Sequence, residues 1–283
     1  MKEYFSGWYF RCQSDTQTLA IIPARHYQNG EKNCSIQVIT KQGAWNIPFP
    51  YRQYWEKKKG LKVSIGHNRF SERGIRIHIH TKELQMDGVV RFGQLSPIEY
   101  DIMGPFSYIP HMECRHKVVS MKHSVTGTFR INGEIYRFSN DLGYIEGDCG
   151  YSFPKQYMWT QSHFEEGSIM ASVAHIPFLF TSFTGIISII QWRGKEYRFA
   201  SYLGAKVQFL KDGIIILRQG KYKLMIELLE KSEISLYAPQ KGNMERMIKE
   251  NVEAEVKYTL RKGNQILFSF VTTKAAFEYE YEK

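Results

Sequence analysis

The sequence predicts an all-β protein made of two tandem antiparallel barrel or sandwich domains, with very little helix. Three observations support this fold class. Aromatic residues make up 14% of the chain, with 18 Tyr and 18 Phe among 283 residues, and such side chains favour half-buried strands. Apolar and polar residues alternate with a period of two over runs of strand length. Features of the first half also recur in the second half at matching spacing.

The individual strands are predicted from runs that turn residues separate. A typical run is GIRIHIHTK, which begins at residue 74, and its apolar and polar residues alternate strictly. Asn-Gly pairs at residues 29–30 and 132–133 have the chemistry of tight hairpin turns. Two segments have a helical pattern instead, residues 96–102 and 242–251. We therefore expect short turns between strands and at most two short helices.

The internal repeat predicts the domain organisation. GWYFRC around Trp8 and YMWTQS around Trp159 are each followed by a similar succession of strands, and an alanine lies 12 residues after each tryptophan. The ends of the two halves are similar as well. We therefore predict two copies of one domain, at residues 1–149 and 150–283. Each copy is long enough for a barrel of roughly eight to ten strands around one ligand-sized cavity.

The net charge of +10 and the pI near 9.3 raise the question of an anionic partner. The basic residues are scattered, and the dense run at Glu56 to Lys59 has the length of a turn. No helix-turn-helix, zinc knuckle or RNA-recognition aromatic pair accompanies them. Nucleic acid is therefore not expected as a partner, whereas peripheral contact with a membrane stays open. The sequence does not indicate the oligomeric state.

The N-terminal residues and the cysteines predict a cytoplasmic protein. The start of the chain, MKEYFSGWYFRC, contains no apolar stretch of signal-peptide length. Thr, Ser and Gly interrupt the most apolar segment, residues 176–192, so we expect two buried strands and a turn there rather than a membrane span. Cys12, Cys34, Cys114 and Cys149 form no CxxC pair, and free thiols are typical of the cytoplasm.

The centre of the chain, YIEGDCGYSFPKQYMWTQSHF from Tyr144, carries the densest set of chemically active side chains. Glu146 and Asp148 alternate on one strand face and could share a proton, since neighbouring like charges raise one pKa. Glu113, within HMECRH, is a third candidate acid. Each carboxylate also has a structural interpretation. Glu146 and Asp148 could form ion pairs or close turns at the domain junction, and Glu113 could pair with Arg115.

The histidines allow a metal hypothesis. His111, Cys114 and His116 have the ligand types of a metal site, and His78 and His80 lie on one strand face. However, the HxxCxH spacing has no matching second half, and two histidines at alternate strand positions are common. We therefore predict no metal site.

His116 and His123 are expected instead to relay protons or to donate hydrogen bonds, unless their role is purely structural. Aromatic and polar side chains near these histidines and at the start of each half are candidates for lining a ligand cavity, although most barrel aromatics belong to the core. The predicted substrate-binding residues are Trp8, Tyr9, Phe106, Tyr108, His123, Tyr157, Trp159 and Gln161. Pro105 and Pro110 bracket a loop that could cover the cavity.

Three blocks of sequence carry a resemblance to a known family. They are SGWYFR at residues 6–11, GPF with MECRH and VSMKH between residues 104 and 123, and YIEGDCGYSFPKQYMWTQ at residues 144–161. Together they resemble the tocopherol cyclase-like family, and the rest of the chain matches in strand character alone. The resemblance implies two lipocalin-like domains, related in outline to those of carotenoid hydratases.

The resemblance also implies cofactor-free acid chemistry. Plant members of the family close a chromanol ring on a prenylated hydroquinone by protonating an alkene, so that a phenol oxygen captures the cation. The present sequence lacks the transit peptide and the long insertions of the plant enzymes. Membership in the family would therefore leave the substrate open.

Two functions from different classes follow. The first is an enzyme that cyclises, isomerises or hydrates a prenylated or polyene substrate, with acid catalysis from among Glu146, Asp148, Glu113 and His116. The second is a carrier or sensor that binds the same lipophilic small molecule without proton chemistry. The nucleotide-binding pattern GxGxxG is missing after the predicted strands, as is a GxSxG elbow, so no cofactor is expected.

Overall fold

The computed structural model describes residues 3–109, 112–178, 181–230, 234–240 and 243–281. Side chains are described over the same ranges apart from residues 178, 181, 234–240 and 243–250. The regular structure in these residues is dominated by two curled antiparallel sheets. The predicted all-β class is therefore confirmed. In the described part of the chain, no helix is long and apolar enough to cross a membrane.

The chain forms two compact units. The first comprises Met1–Pro97, Cys114–Ser152 and Leu236–Arg246, and the second comprises Ile98–Glu113, Phe153–Ser235 and Met247–Lys283. Residues 98–113 thus belong with the second unit although they precede the end of the first. This organisation departs from a single boundary between residues 149 and 150.

Arg198 explains why residues 98–113 belong with the second unit. Its guanidinium donates hydrogen bonds to the carbonyl oxygens of Tyr100 and Asp101 at 3.0 and 3.1 Å. The guanidinium carbon also lies 3.5 Å from the centroid of the Tyr100 ring. The same largely buried guanidinium forms an ion pair with the Glu196 carboxylate, with 2.8 Å between the nitrogen and oxygen atoms. An arginine that binds two carbonyl groups and an aromatic face fixes the position of this segment.

The first sheet contains eleven strands within the described residues: β1 (Tyr4–Gln13), β2 (Thr18–Gln28), β3 (Glu31–Thr40), β4 (Gly43–Pro50), β5 (Tyr54–Glu56), β6 (Lys62–Ile65), β7 (Asn68–Ser71), β8 (Gly74–His80), β9 (Gln85–Phe92), β10 (Cys114–Ile131) and β11 (Glu134–Gly150). Their order is β4-β3-β2-β1-β11-β10-β9-β8-β7-β6-β5. The last strand therefore pairs with the first. One face buries a core cluster that includes Phe10, Ile21, Phe129 and Ile145. A 3-10 helix at Tyr51–Gln53 precedes β5.

The second sheet contains ten strands within the described residues: β12 (Tyr157–Phe164), β13 (Gly167–Phe178), β14 (Thr181–Trp192), β15 (Lys195–Ala200), β16 (Lys206–Lys211), β17 (Ile214–Gln219), β18 (Tyr222–Glu230), β19 (Ile234–Gln240), β20 (Asn243–Lys262) and β21 (Gln265–Tyr279). Their order is β15-β14-β13-β12-β21-β20-β18-β17-β16, and β19 pairs with β20. The first strand again pairs with the last. The core cluster includes Met158, Leu224 and Tyr258, and a 3-10 helix spans Ser201–Leu203.

The predicted helix at residues 242–251 is wrong. Residues 243–251 belong to β20, and Glu250 and Asn251 pair with Glu278 and Phe277 of β21. Residue 242 lies outside the described residues. Apolar residues spaced three and four apart in this segment imitate a helix. Pairing within the sheet overrides that local preference, as tertiary context commonly does.

The predicted helix at residues 96–102 is also wrong. The Ser96 N–H donates a hydrogen bond to Ser120 Oγ at 3.1 Å, and the proline that follows Ser96 disfavours a helical conformation there. The helical turn begins later, as a 3-10 helix at Gly104–Tyr108. The Asp101 carboxylate accepts the Met103 N–H at 2.8 Å just before that turn.

The two tryptophans of the sequence repeat do not occupy equivalent positions in the two sheets. By strand pairing, Trp159 corresponds to Tyr9, one residue after Trp8. Trp8 packs against the first core cluster. Trp159 follows Met158, which belongs to the second core cluster, so Trp159 points to the opposite face of its sheet. Tyr9 lies opposite Glu146 in the first sheet, as Trp159 lies opposite Glu278 in the second. A shift of one residue exchanges the faces of all side chains.

Candidate active site

Strand β11 places three polar side chains on one face of the first sheet. Tyr144, Glu146 and Asp148 are alternate residues, and alternate residues of a strand point to the same face. Antiparallel pairing with β10 puts His116 directly opposite Asp148. The intervening Ile145 belongs to the core cluster. We call these four side chains the Glu146 cluster, and they lie on the face opposite to that core.

The four side chains form a continuous chain of polar contacts. His116 Nδ1 lies 2.8 Å from Asp148 Oδ1. His116 Nε2 lies 3.0 Å from Glu146 Oε2, although these two atoms are poorly aligned for a hydrogen bond. The Tyr144 hydroxyl donates to the same Glu146 oxygen at 2.5 Å. Glu146 is only 4% exposed, so neighbouring side chains rather than bulk water solvate its carboxyl group.

Burial controls the protonation of the Glu146 cluster. It raises the pKa of Glu146 above its usual value, against the opposing effect of His116. Burial by itself would lower the pKa of His116, but the carboxylates of Glu146 and Asp148 outweigh it and raise that pKa well above its usual value. Burial and Glu146 likewise raise the pKa of Tyr144. At neutral pH the imidazole therefore carries a proton between two carboxyl groups, and the phenol stays protonated.

Gly147 allows the strand to pass close to Trp8. A Cβ atom at residue 147 would lie 2.5 Å from Cε3 of the Trp8 ring, far inside van der Waals contact. Trp8 Nε1 donates a hydrogen bond to Glu56 Oε1 at 3.0 Å, which fixes the orientation of the indole. The glycine between Glu146 and Asp148 is thus a packing requirement on the core face, opposite to the polar side chains.

Three further side chains surround the Glu146 cluster. The register of β1 places buried Tyr9 opposite Glu146, and buried Arg11 opposite Tyr144. The Cys114 thiol lies 3.6 Å from Asp148 Oδ1. An aromatic ring beside the acid is suited to contact with an apolar substrate or a carbocation.

The Glu146 cluster also has the donor set for a cation. His116, Glu146 and Asp148 each offer a ligand atom, and these atoms lie within 4.8 Å of one another. One imidazole and two carboxylates suit several divalent transition metals. The same three groups can equally act as an acid and base set, because the imidazole nitrogens lie 3.0 Å from Glu146 Oε2 and 2.8 Å from Asp148 Oδ1.

The chain matches the sequence profile of a known family. The profile of the tocopherol cyclase-like family matches residues 78–279, well over half of the chain. The chain belongs to this family. The matched part contains the whole Glu146 cluster, whereas the SGWYFR block at residues 6–11 precedes it. The sequence resemblance to the tocopherol cyclase-like family is therefore confirmed.

Solved structures of low identity share the fold of this tocopherol cyclase-like protein. An AttH-type protein of Nitrosomonas europaea aligns with a TM-score of 0.58 at 9% identity, covering 100% of this chain and 93% of its own. Kievitone hydratase of Nectria haematococca aligns with a TM-score of 0.57 at 9% identity, covering 98% and 89%. CghA with Sch210972 gives 0.62 at 9% identity, covering 98% and 88%. No curated protein sequence matches the chain significantly.

His123 is separate from the Glu146 cluster. It pairs with Gly143, and its ring packs edge-on against Phe92 at 4.6 Å between centroids, next to the first core cluster. His123 Nδ1 lies 3.0 Å from Ser120 Oγ. Burial lowers the pKa of His123 to about 4. Burial on the core face therefore favours the neutral form of His123 at neutral pH.

The remaining predicted acid, Glu113, is half-buried at the residue before β10 and belongs to the second unit. Its predicted companions within HMECRH have different placements. Cys114 contacts the Glu146 cluster, whereas His111 lies outside the described residues, as does Pro110 of the predicted covering loop. The HxxCxH metal hypothesis therefore has two described members, Cys114 and His116.

Two predicted substrate-binding residues of the second unit, Tyr157 and Trp159, lie beside another buried acid, Glu278. Tyr157, Trp159 and Gln161 alternate along β12 and are buried. The Tyr157 hydroxyl donates to Glu278 Oε2 at 2.5 Å, and Trp159 lies opposite Glu278. The second sheet thus has its own pairing of a tyrosine with a buried carboxyl group.

The two aromatic residues of the 3-10 helix have different environments. Phe106 lies 5.7 Å from Phe183 and 5.8 Å from Tyr202 between ring centroids, so it is packed within the second unit. Tyr108 is 88% exposed. A cleft of about 690 Å³ in the second unit is lined by other residues, among them Tyr197, Tyr222 and Leu267.

Sequence reasoning missed Tyr144, Arg11 and Glu278 as members of buried polar sites. Tyr144 could have been found, because it has the same parity as Glu146 and Asp148 within one strand. Arg11 and Glu278 required knowledge of which strands pair, since each reaches its neighbours through register and not through sequence proximity.

Proposed function

We propose that this protein is a cofactor-independent enzyme that protonates a double bond of a prenylated or polyene substrate and directs the resulting cation to cyclisation, isomerisation or hydration. The observation that carries the proposal is the burial of the Glu146 carboxyl group beside His116, whose Nε2 lies 3.0 Å from Glu146 Oε2. Burial raises the pKa of Glu146 above its usual value, which favours the protonated form that a general acid needs. Protonation of an alkene requires such an acid.

In the proposed reaction, the Glu146 carboxyl group donates its proton to one carbon of the double bond. The π electrons form the new C–H bond and leave a cation on the other carbon. His116 returns a proton to the Glu146 carboxylate, while Asp148 holds the imidazole through Nδ1. A phenol oxygen of the substrate, or water, adds to the cation and releases a proton to the cluster. In isomerisation, a C–H bond next to the cation breaks instead, its electrons form the new double bond, and its proton passes to the cluster. Protons and electrons balance without a cofactor.

Membership in the tocopherol cyclase-like family supports a lipophilic substrate for this chemistry. One structural neighbour carries the name of a hydratase, which is consistent with addition of water to a substrate bound in the same fold. Tyr9, next to Glu146 in the register, offers an electron-rich face to a cation. The protein's expected partner is therefore a lipophilic small molecule.

Incubation with lipophilic substrates tests the proposal. Geranylgeranyl and phytyl quinols, together with extracted polyene lipids, are mixed with the purified chain in excess EDTA, and the products are analysed by mass spectrometry. We expect a product of unchanged mass from cyclisation or isomerisation, or of the substrate mass plus one water. EDTA leaves the rate unchanged because Glu146 supplies the proton. If the protein were inactive in EDTA and regained activity when metal was added, the reaction would depend on a bound cation instead of on Glu146 alone.

A second function, a non-catalytic carrier of the same ligands, is favoured by one observation. Glu146 contacts His116 at 3.0 Å, and a buried ion pair of this kind can be purely structural. A carrier would bind quinols tightly and return them unaltered from every incubation. That outcome would contradict catalysis and support the carrier.

A further inference from the structure

A second group of ionisable side chains lies on β8 and β9, which β10 separates from β11 in the first sheet. The sequence GIRIHIH of β8 alternates strictly, so that Ile75, Ile77 and Ile79 are buried in the core. His78 and His80 consequently point to the opposite face, where their side chains are 56% and 50% exposed. Strand period alone brings these two imidazoles side by side.

Register adds a carboxylate between the two imidazoles. Asp87 of β9 pairs directly with His78, and its Oδ1 lies 2.5 Å from His78 Nδ1. Its other oxygen, Oδ2, contacts His80 Nε2. The two imidazole rings are 4.4 Å apart between centroids. The single carboxylate therefore bridges both rings.

A third imidazole is close by. His67, in the turn between β6 and β7, lies edge-on to His78 at 6.3 Å between centroids. The ligand atoms of His78, His80 and Asp87 are all within 4.8 Å of one another. Two imidazoles and one carboxylate, with open solvent on the outer side, match a three-residue site that leaves water in the remaining position.

We propose that His78, His80 and Asp87 form a surface site for a borderline divalent cation such as Zn²⁺. Imidazole nitrogen favours Zn²⁺, Ni²⁺ and Cu²⁺ over Mg²⁺ and Ca²⁺, which prefer sites made of oxygen atoms alone. The bound ion takes the place between the imidazoles and Asp87 that hydrogen atoms occupy otherwise. It links β8 to β9 and so stabilises this part of the first sheet. The site is independent of the Glu146 cluster and of the proposed reaction.

Zinc binding by the untagged full chain tests the proposal. After removal of metals, the protein is titrated with Zn²⁺ in competition with a chromogenic chelator, and Mg²⁺ is titrated separately. We expect one zinc per chain, at least about tenfold weaker binding in His80→Ala and in Asp87→Asn, and no binding of Mg²⁺ at the same concentrations. A Zn²⁺-dependent rise in Tm accompanies binding and is absent from the two variants.

Two further variants serve as controls. His175→Ala removes another exposed strand histidine and leaves zinc affinity unchanged. His116→Gln alters the buried cluster, which is the other group of potential ligands among the described residues, and also leaves the affinity unchanged. Zinc affinity that is equal in the wild type and in His80→Ala would overturn the proposal. So would a zinc site that is lost in His116→Gln alone.

Discussion

The chemistry of Glu146 depends on how little water reaches it. Its charge is disfavoured by burial, and its nearest polar neighbours are His116 and the Tyr144 hydroxyl. Asp148 acts on the other side of the imidazole, through Nδ1 at 2.8 Å. The residues therefore divide into an acid, a protonated base that can recharge it, and a carboxylate that orients the base. Glu146 is the catalytic residue of the proposal, and Asp148 is a positioning residue.

Substitution Asp148→Asn separates these roles. The amide keeps its size but removes the charge that helps to raise the pKa of His116. We expect kcat to fall by roughly 10-fold to 100-fold and the alkaline limb of the pH–rate profile to move to lower pH, because His116 loses its proton earlier. The control is Asp212→Asn in an exposed turn. A profile that keeps its alkaline limb in Asp148→Asn would contradict a positioning role.

His123 predicts a pH dependence of stability. Its pKa is about 4 in the folded protein and about 6.5 in the unfolded chain. The unfolded state therefore binds the proton first, so the stabilisation is complete above pH 6.5 and is lost progressively as the pH falls toward 4. The shift corresponds to about 3 kcal/mol. Urea unfolding between pH 7 and pH 4 should show a smaller loss in His123→Gln than in the wild type, and parallel losses would refute this assignment.

At the level of elements, the pairing of β1, β10 and β11 builds the site. Strand β11 contributes Glu146 and Asp148, and its neighbour β10 contributes His116. On the other face of β11, Gly147 leaves room for the Trp8 ring of β1. The core packing and the polar cluster are thus two faces of one strand, and a change on one face disturbs the other.

Substitution Gly147→Ala tests this coupling. The added methyl group would lie 2.5 Å from the Trp8 ring, so the strand or the indole must move. We expect destabilisation of about 1–3 kcal/mol, as for other overpacked cores, measured by chemical denaturation. Gly43→Ala is the matched control, since its Cβ would lie 3.9 Å from the nearest atoms. Equal stability of the two variants would contradict the packing argument.

Arg198 makes a prediction for the segment at residues 98–113. Its guanidinium binds the Tyr100 and Asp101 carbonyl oxygens, so Arg198→Ala should release the segment while the second sheet stays folded. Hydrogen exchange is expected to accelerate at residues 99–104. Arg193→Ala removes an arginine from an exposed pair with Glu166 and should leave exchange there unchanged. Unaltered protection in Arg198→Ala would show that other contacts hold the segment.

At the level of the whole molecule, the two units share a plan but differ in chemistry. Each pairs its first strand with its last, and each places a buried glutamate opposite an aromatic residue, Glu146 with Tyr9 and Glu278 with Trp159. In the first unit, Glu146 also contacts His116. His116 belongs to the neighbouring strand β10 and lies opposite Asp148. We therefore assign proton donation to the first unit.

Much of this fold could be predicted from the sequence, because strand period and turn pairs are local signals. The shared face of Glu146 and Asp148 follows from the same period. The contact with His116 does not, since β10 contains register shifts at Val118 to Ser120 and at Ser120 to His123 that the sequence does not reveal. The segment at 242–251 misled the prediction because its apolar spacing fits a helix while its pairing with β21 requires a strand.

The central claim is that Glu146 delivers a proton to carbon. The direct measurement is conversion of a prenylated quinol in D₂O by the wild type, by Glu146→Gln and by Glu165→Gln, which changes an exposed turn residue. The wild type and Glu165→Gln should form product with one non-exchangeable deuterium, and Glu146→Gln should be slower by roughly 100-fold to 10,000-fold. Product without carbon-bound deuterium, or an unchanged rate in folded Glu146→Gln, would contradict the account.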